Sequence, residues 1–201
     1  AVRALVGAGA RVVAVGHAPA KLEEVAALGA ATEGCDLTDE GAVGALVARV
    51  HDAHGAVDGV LHLVGGWRGG GGLAGQSDAD FRFLEQSLTA LRHVSRAFDD
   101  DLRRSPAARE AIVSSTAVDR PLAGGASYAA VKAASEAWAR AVAQGFAKAA
   151  RDAEEPLRAA SVVFRVKALE GLEDDLARSF IGLWDEDAAA INGTVRELSA
   201  S

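Results

Sequence analysis

The only tyrosine of this 201-residue chain opens the segment Tyr128-Ala-Ala-Val-Lys132. Positions four apart on a helix share one face, so the phenol and the ammonium can enter one pocket. A phenol so placed can supply or take a proton, and a neighbouring cation favours the phenolate. At about 5 Å, with an effective dielectric of about 20, that attraction is worth roughly 3 kcal/mol. Ser115 ends the apolar run Ala111-Ile-Val-Ser-Ser115. A strand end and the start of the following helix can bring its hydroxyl together with that of Tyr128. The chain has four lysines and twelve serines, so finding one of each at these offsets from the lone tyrosine is about a one-in-a-thousand coincidence.

Elements that could position these groups are legible along the chain. Short apolar, β-branched runs at Arg11–Gly16, Ala31–Asp36, Val57–Val64, Ala111–Ser115, Ala160–Ala168 and Thr194–Leu198 read as strands. Between them lie helical stretches at about 18–28, 39–54, 78–104, 127–150 and 172–184, with Thr38 or Asp39 as the cap of the second. A glycine-rich loop runs from Gly65 to Gly75. Strands alternating with helices predict an α/β fold: a three-layer, Rossmann-type, doubly wound parallel sheet in one domain spanning 1–201. Ligands of such sheets sit at the carboxyl ends of the strands, here the loops after Gly16, Asp36, Val64 and Ser115.

These residues resemble the short-chain dehydrogenase/reductase family, whose active site uses a strand-end Ser followed by Tyr-x-x-x-Lys on the next long helix. The resemblance implies that Ser115 polarises the substrate carbonyl and that Tyr128 is the general acid/base. Lys132 would hold the nicotinamide ribose and favour the phenolate. The family's fourth catalytic residue, an Asn before Leu in the preceding helix, corresponds to Ser87 of Ser87-Leu88. Serine has no amide carbonyl, so Ser87 is either a hydroxyl that holds a water or a plain helix residue. Asp58-Gly-Val-Leu-His-Leu-Val-Gly65 is similar to the family's Asp-x-Leu-Val-Asn-Asn-Ala-Gly strand, with His62 and Leu63 in place of the Asn pair. Val64 and Gly65 are thereby expected beside the cofactor, and His62 is expected as a core histidine. Asp36-Leu37 matches the adenine-edge Asp, or else is a helix-capping turn. Where family members that prefer NAD carry an acid, this chain has Gly16-His17. The missing carboxylate leaves room for a 2′-phosphate, so NADP(H) is favoured over NAD(H). Gly65-Gly-Trp-Arg-Gly-Gly70 resembles the dihydropteridine reductase branch, with Trp67 either flanking the substrate or covering core.

Other features bound the reading. Val6-Gly-Ala-Gly-Ala10 looks like a phosphate loop, but it follows a helix and precedes a strand, so it reads as a helix C-cap. The family's Pro-Gly after the fifth strand is missing from Val162–Ala168, and Leu169 runs almost directly into the next helix. The chain holds no Met and opens within a helix. The expectation is that its true beginning lies upstream, with the family's first strand and glycine loop. That strand would be central, between the Arg11–Gly16 and Val57–Val64 strands, and without it a gap is expected there.

The net charge of −7 with scattered Lys and Arg gives no basic patch for nucleic acid or a membrane. His51 and His54 lack a third metal ligand, and no metal is expected. The single Cys35 suits a reducing cytoplasm. The expected partner is a small carbonyl or alcohol substrate, and the two long helices are expected to build a homodimer or homotetramer. The alternative is an inactive, reductase-like binding or assembly subunit, which the missing phosphate loop, Asn and Pro-Gly favour and the intact Ser115, Tyr128 and Lys132 oppose.

Overall fold

The computed structural model describes residues 1–199. In chain order the helices are α1 (Val2–Gly7), α2 (Pro19–Ala26), α3 (Glu40–His54), α4 (Asp78–Arg104), α5 (Ala126–Asp152), α6 (Glu173–Gly182) and α7 (Ala188–Ile191). The strands are β1 (Val13–Gly16), β2 (Ala31–Gly34), β3 (Gly59–His62), β4 (Arg109–Ser115), β5 (Ala160–Val166) and β6 (Val195–Leu198). All pairings are parallel, in the orders β1-β2 and β3-β4-β5-β6. The helices form the outer layers, as the strand–helix alternation predicts.

Period-two alternation sorts the side chains between the layers. Ile112 and Val163 face Leu91 of α4 and Ala139 of α5. Ala111, Val162 and Phe164 face Leu176 and Phe180 of α6 on the other side. Because β4 and β5 are covered on both faces, their apolar runs are nearly unbroken, as a buried parallel sheet requires. A third apolar cluster joins Val13 and Val15 of β1 to Val43, Leu46 and Val50 of α3, Val94 and Phe98 of α4, and Val60 of β3.

The expected central gap is present. β1 bonds to β2 and β3 bonds to β4, but β1 and β3 share no ladder. A cleft of about 830 Å³ lies between them, lined by Val13, Val15, Leu46, Val60, Leu61 and Phe98 among others. The two edges are held in place by the side chains of α3 and α4 rather than by backbone bonds.

Most strands are trimmed by one or two residues at an end relative to the sequence reading, and two boundary differences have a clear physical reason. β4 begins at Arg109 rather than Ala111 because a buried guanidinium can be satisfied by carbonyls. Arg109 donates to the carbonyls of Leu183 (2.7 Å), Ala108 (2.8 Å), Arg158 (3.0 Å) and Glu186 (2.8 Å). β3 ends at His62, and the last two residues of the predicted run, Leu63 and Val64, are exposed. Asp39 caps α3, its side chain accepting from the Ala42 N–H at 2.8 Å, and Ser77 caps α4 in the same way through the Asp80 N–H. Asp101 of α4 is buried because it accepts from the Val57 N–H and lies 2.7 Å from His51 Nε2.

Candidate active site

Ser115 ends β4, and Tyr128 and Lys132 stand one turn apart on α5, whose lysine reaches back to that strand. Ser115 is buried, and its Oγ accepts the Ala117 N–H at 3.2 Å, capping the short turn that follows the strand. The hydroxyl hydrogen remains available for a substrate oxygen. Lys132 Nζ lies 5.9 Å from the centre of the Tyr128 ring. It donates to the Val113 carbonyl at 2.8 Å, which leaves two of its three N–H groups for other acceptors. Burial pulls the Lys132 pKa below the ordinary lysine range, and the Glu136 carboxylate one turn on partly opposes this. Gly65 sits directly on the ammonium: a Cβ there would stand 3.5 Å from Lys132 Nζ.

One turn behind the lysine is a buried ionic network that sequence reasoning missed. Arg165 of β5 forks onto Glu136, Nε to Oε1 at 2.8 Å and a terminal nitrogen to Oε2 at 2.7 Å. Its other terminal nitrogen reaches Asp119, just beyond the Ser115 turn. Ser114 Oγ donates to Glu136 Oε1 at 2.6 Å. Burial alone would raise the Glu136 pKa, but the bonds from Arg165 and Ser114 outweigh it and hold the carboxyl below its ordinary range. The network ties β4, β5, α5 and the Ser115 loop into one block. A signal for it exists in the sequence. Arg165 interrupts the run Val162-Val-Phe-Arg-Val166, and a charge in a buried strand needs a partner.

Ser87 lies within α4. Its Oγ donates to the Leu84 carbonyl of its own helix at 2.8 Å. Its backbone carbonyl lies 3.3 Å from His62 Nε2. Burial lowers the His62 pKa to about 4, so at neutral pH the ring is uncharged and donates through Nε2–H. His62 is therefore the core histidine expected, tying β3 to α4. Trp67 is 61% exposed, which excludes the core-covering role. Arg68 beside it stacks over Phe83, 3.9 Å from the ring centre.

The other expected cofactor residues cluster at the ends of β1 and β2. Gly16 pairs with Gly34, and the Gly16 carbonyl accepts the Cys35 N–H at 3.0 Å. His17 is exposed. The Asp36 pKa is lowered, first by bonds from the Thr38 hydroxyl and N–H and in smaller part by His17. Leu37 lines the cleft, and its carbonyl lies 3.2 Å from His93 Nδ1. Val64 is exposed at the opposite rim. The turn at Gly7–Gly9 closes α1, with Gly9 at φ +86°, as the C-cap reading predicts.

Comparison with known proteins gives the family. A family model described as enoyl-(acyl carrier protein) reductase matches residues 1–151, and the chain belongs to the short-chain dehydrogenase/reductase family of oxidoreductases. No curated protein matches its sequence. Among solved structures, it is similar to an NADPH-bound short-chain oxidoreductase of Pseudomonas aeruginosa PAO1 described as containing an atypical catalytic center. The TM-score is 0.82 at 18% identity, covering 98% of this chain and 89% of that one. A short-chain dehydrogenase/reductase of Mycobacterium ulcerans gives 0.80 at 21% identity, covering 98% and 82%. A short-chain dehydrogenase of Shigella flexneri complexed with NADP gives 0.81 at 18%, covering 97% and 90%. These likenesses show the fold.

Proposed function

We propose that the protein is an NADP(H)-dependent carbonyl reductase, or alcohol dehydrogenase in the reverse direction, with Tyr128 as its general acid/base. The observation that carries the reading is the Lys132 ammonium, 5.9 Å from the Tyr128 ring on one face of α5 and bonded to the Val113 carbonyl of β4, the strand that Ser115 ends. The residues present fit a nicotinamide nucleotide. Lys132 is a buried cation with N–H groups free for ribose hydroxyls, and Gly65 leaves backbone room beside it. Gly16, His17, Asp36, Leu37 and Val64 line the route for the rest of the nucleotide. The absence of an acid next to Gly16 favours the 2′-phosphate form. When bound, the nicotinamide supplies the hydride to the carbonyl carbon. Ser115 Oγ donates to the carbonyl oxygen, and Tyr128 passes its proton to that oxygen as charge develops there. Lys132 stabilises the phenolate that remains. In oxidation the same proton moves back to Tyr128. The cofactor-bound structures of Pseudomonas aeruginosa and Shigella flexneri support the choice of NADP(H) by analogy of fold.

Tyr128→Phe removes the proton donor and little else. It should abolish NADPH-dependent reduction of a panel of small aldehydes and ketones while NADPH affinity, read by fluorescence titration, stays near wild type. Near wild-type rates in this variant would show that the catalytic assignment is wrong. We also propose that α4 and α5 pair with a second copy, through small residues such as Ala133, Ala137 and Ala141. Sedimentation should then give multiples of 20.5 kDa, and a 20.5 kDa species alone would contradict it. The buried Cys35 suits the cytoplasm as the place of action. Among the described residues no helix is long and apolar enough to cross a membrane.

A further inference from the structure

α5, which presents Tyr128, starts without a cap of its own. Its N-cap is Gly125, which has no side chain to accept the free N–H groups of the first turn. Among the described residues, the acceptor for the Ser127 N–H comes from elsewhere: Gln76 Oε1, at 3.3 Å. The Gln76 amide nitrogen faces three carbonyls, those of Gly124 (3.0 Å), Gly70 (3.1 Å) and Gly72 (3.2 Å). That set fixes which end of the amide points where, since an oxygen turned toward three carbonyl oxygens would be repelled. Gln76 itself stands on firm backbone, one residue before the Ser77 cap of α4.

The loop it clasps is built for close approach. Gly70 N–H donates to the Gly124 carbonyl at 2.7 Å. A Cβ on Gly69 would fall 2.3 Å from that same carbonyl oxygen, and one on Gly75 would fall 2.7 Å from the Gly70 carbonyl oxygen. The glycine loop thus lies backbone to backbone against the segment leading into α5. It begins at Gly65, against Lys132, and ends at Gln76, against Ser127. The residue before Tyr128 and the lysine one turn after it are both touched by this one loop.

We propose that Gln76 is a positioning residue of the active site, capping α5 from outside and fixing the Tyr128 turn against the glycine loop. The proposal rests on the reading of Tyr128 as the general acid/base. Misplacing a reacting group by about 1 Å can cost on the order of 100-fold in rate, so loss of the clasp should be read in kcat.

The test uses the full chain with Gln76→Leu, which keeps the bulk and loses all four bonds. Gln76→Glu keeps an acceptor toward Ser127 but sets an oxygen against three carbonyls. Tyr128→Phe runs in parallel. Both Gln76 variants should lose roughly 10- to 100-fold in kcat, with the KM for NADPH within about twofold of wild type. The Ser127 amide should exchange with solvent at least about tenfold faster in Gln76→Leu. A merely structural role would lower the melting temperature and leave kcat of the folded protein unchanged. Wild-type kcat in Gln76→Leu beside an inactive Tyr128→Phe would overturn the proposal and leave the catalytic reading standing. Unchanged exchange at Ser127 would overturn it as well. Full activity in Tyr128→Phe would instead overturn the catalytic reading, and the positioning role with it.

Discussion

The two ends of this sheet are built by different means. At one end β4 and β5 pair over seven residues each, covered on both faces and pinned to α5 by the Glu136–Arg165 fork. At the other, β1 and β2 pair over four residues, and β1 faces a cleft where a further neighbour would bond. The first end carries Ser115, Tyr128 and Lys132; the second carries Gly16, His17 and Asp36. On the proposed reading, proton transfer tolerates little displacement, and its groups sit on the block held by the buried fork. Recognition of a nucleotide's far end tolerates more, and its groups sit where no backbone ladder joins β1 to β3 and apolar packing is supplemented by exposed polar links such as Arg49–Glu33. The lesson is that in this chain rigidity is concentrated where the proposed chemistry would demand it.

The comparison can be broken most severely at Arg165. Arg165→Ala breaks the buried ion pair and leaves Glu136 with only the Ser114 hydroxyl and Arg140 at 3.6 Å, which should cost up to about 3–5 kcal/mol. In a chain of this size that is a fall on the order of 10 °C in melting temperature. Asp36→Asn, at an exposed turn of the other end, should shift it by little more than a degree. Equal losses in the two variants, measured by thermal unfolding, would mean that the ends are held alike.

A smaller effect comes from Glu110, one residue into the rigid end. It is fully buried with one carboxylate oxygen unpartnered among the described residues, and burial pushes its pKa up to about 7. Its folded-state pKa lies above the unfolded value. The stability it contributes is therefore fully present below about pH 4.5 and is lost as pH rises through 7. Between pH 5 and pH 8 this should amount to about 2 kcal/mol. Glu110→Gln should flatten that part of the stability–pH curve in urea titrations. A wild-type slope retained in the variant would place the titrating group elsewhere.

How much of this was legible beforehand follows from the reach of each interaction. Strand and helix order, the Tyr128–Lys132 face and the central gap rest on local periodicity or on topology, and they were readable. Gln76 was not, because it caps a helix through Ser127, 51 residues further along the chain. Beside a run of glycines it reads only as a loop residue. The partnership of Glu136 with Arg165 spans 29 residues; the odd charge in β5 announces a need for a partner but not which one. Ser87 fits the aligned position, yet a helix serine can always turn back onto a carbonyl of the previous turn, and this one does. Leu63 and Val64 extend the apolar run of β3, but strand pairing stops at His62 and they belong to the exposed rim.

The smallest of the expected effects lies at the looser end. His17→Asp puts a carboxylate where the 2′-phosphate would sit and should move the NADPH/NADH preference toward NADH by about tenfold, or roughly 1.4 kcal/mol. The melting temperature should stay nearly fixed, since His17 is exposed. An unchanged preference ratio would remove the Gly16-His17 turn from the cofactor site.

The central claim, hydride transfer at the Ser115–Tyr128–Lys132 site, is tested most directly by following the transferred hydrogen. NADPH carrying deuterium at the reactive nicotinamide carbon is incubated with a carbonyl substrate found in the aldehyde and ketone panel, and the alcohol is examined by mass spectrometry and NMR. The account predicts deuterium on the carbinol carbon from the wild-type protein and none from Tyr128→Phe at matched cofactor saturation. Saturable NADPH binding by the wild type, with no label moved to any carbonyl in the panel, would contradict it.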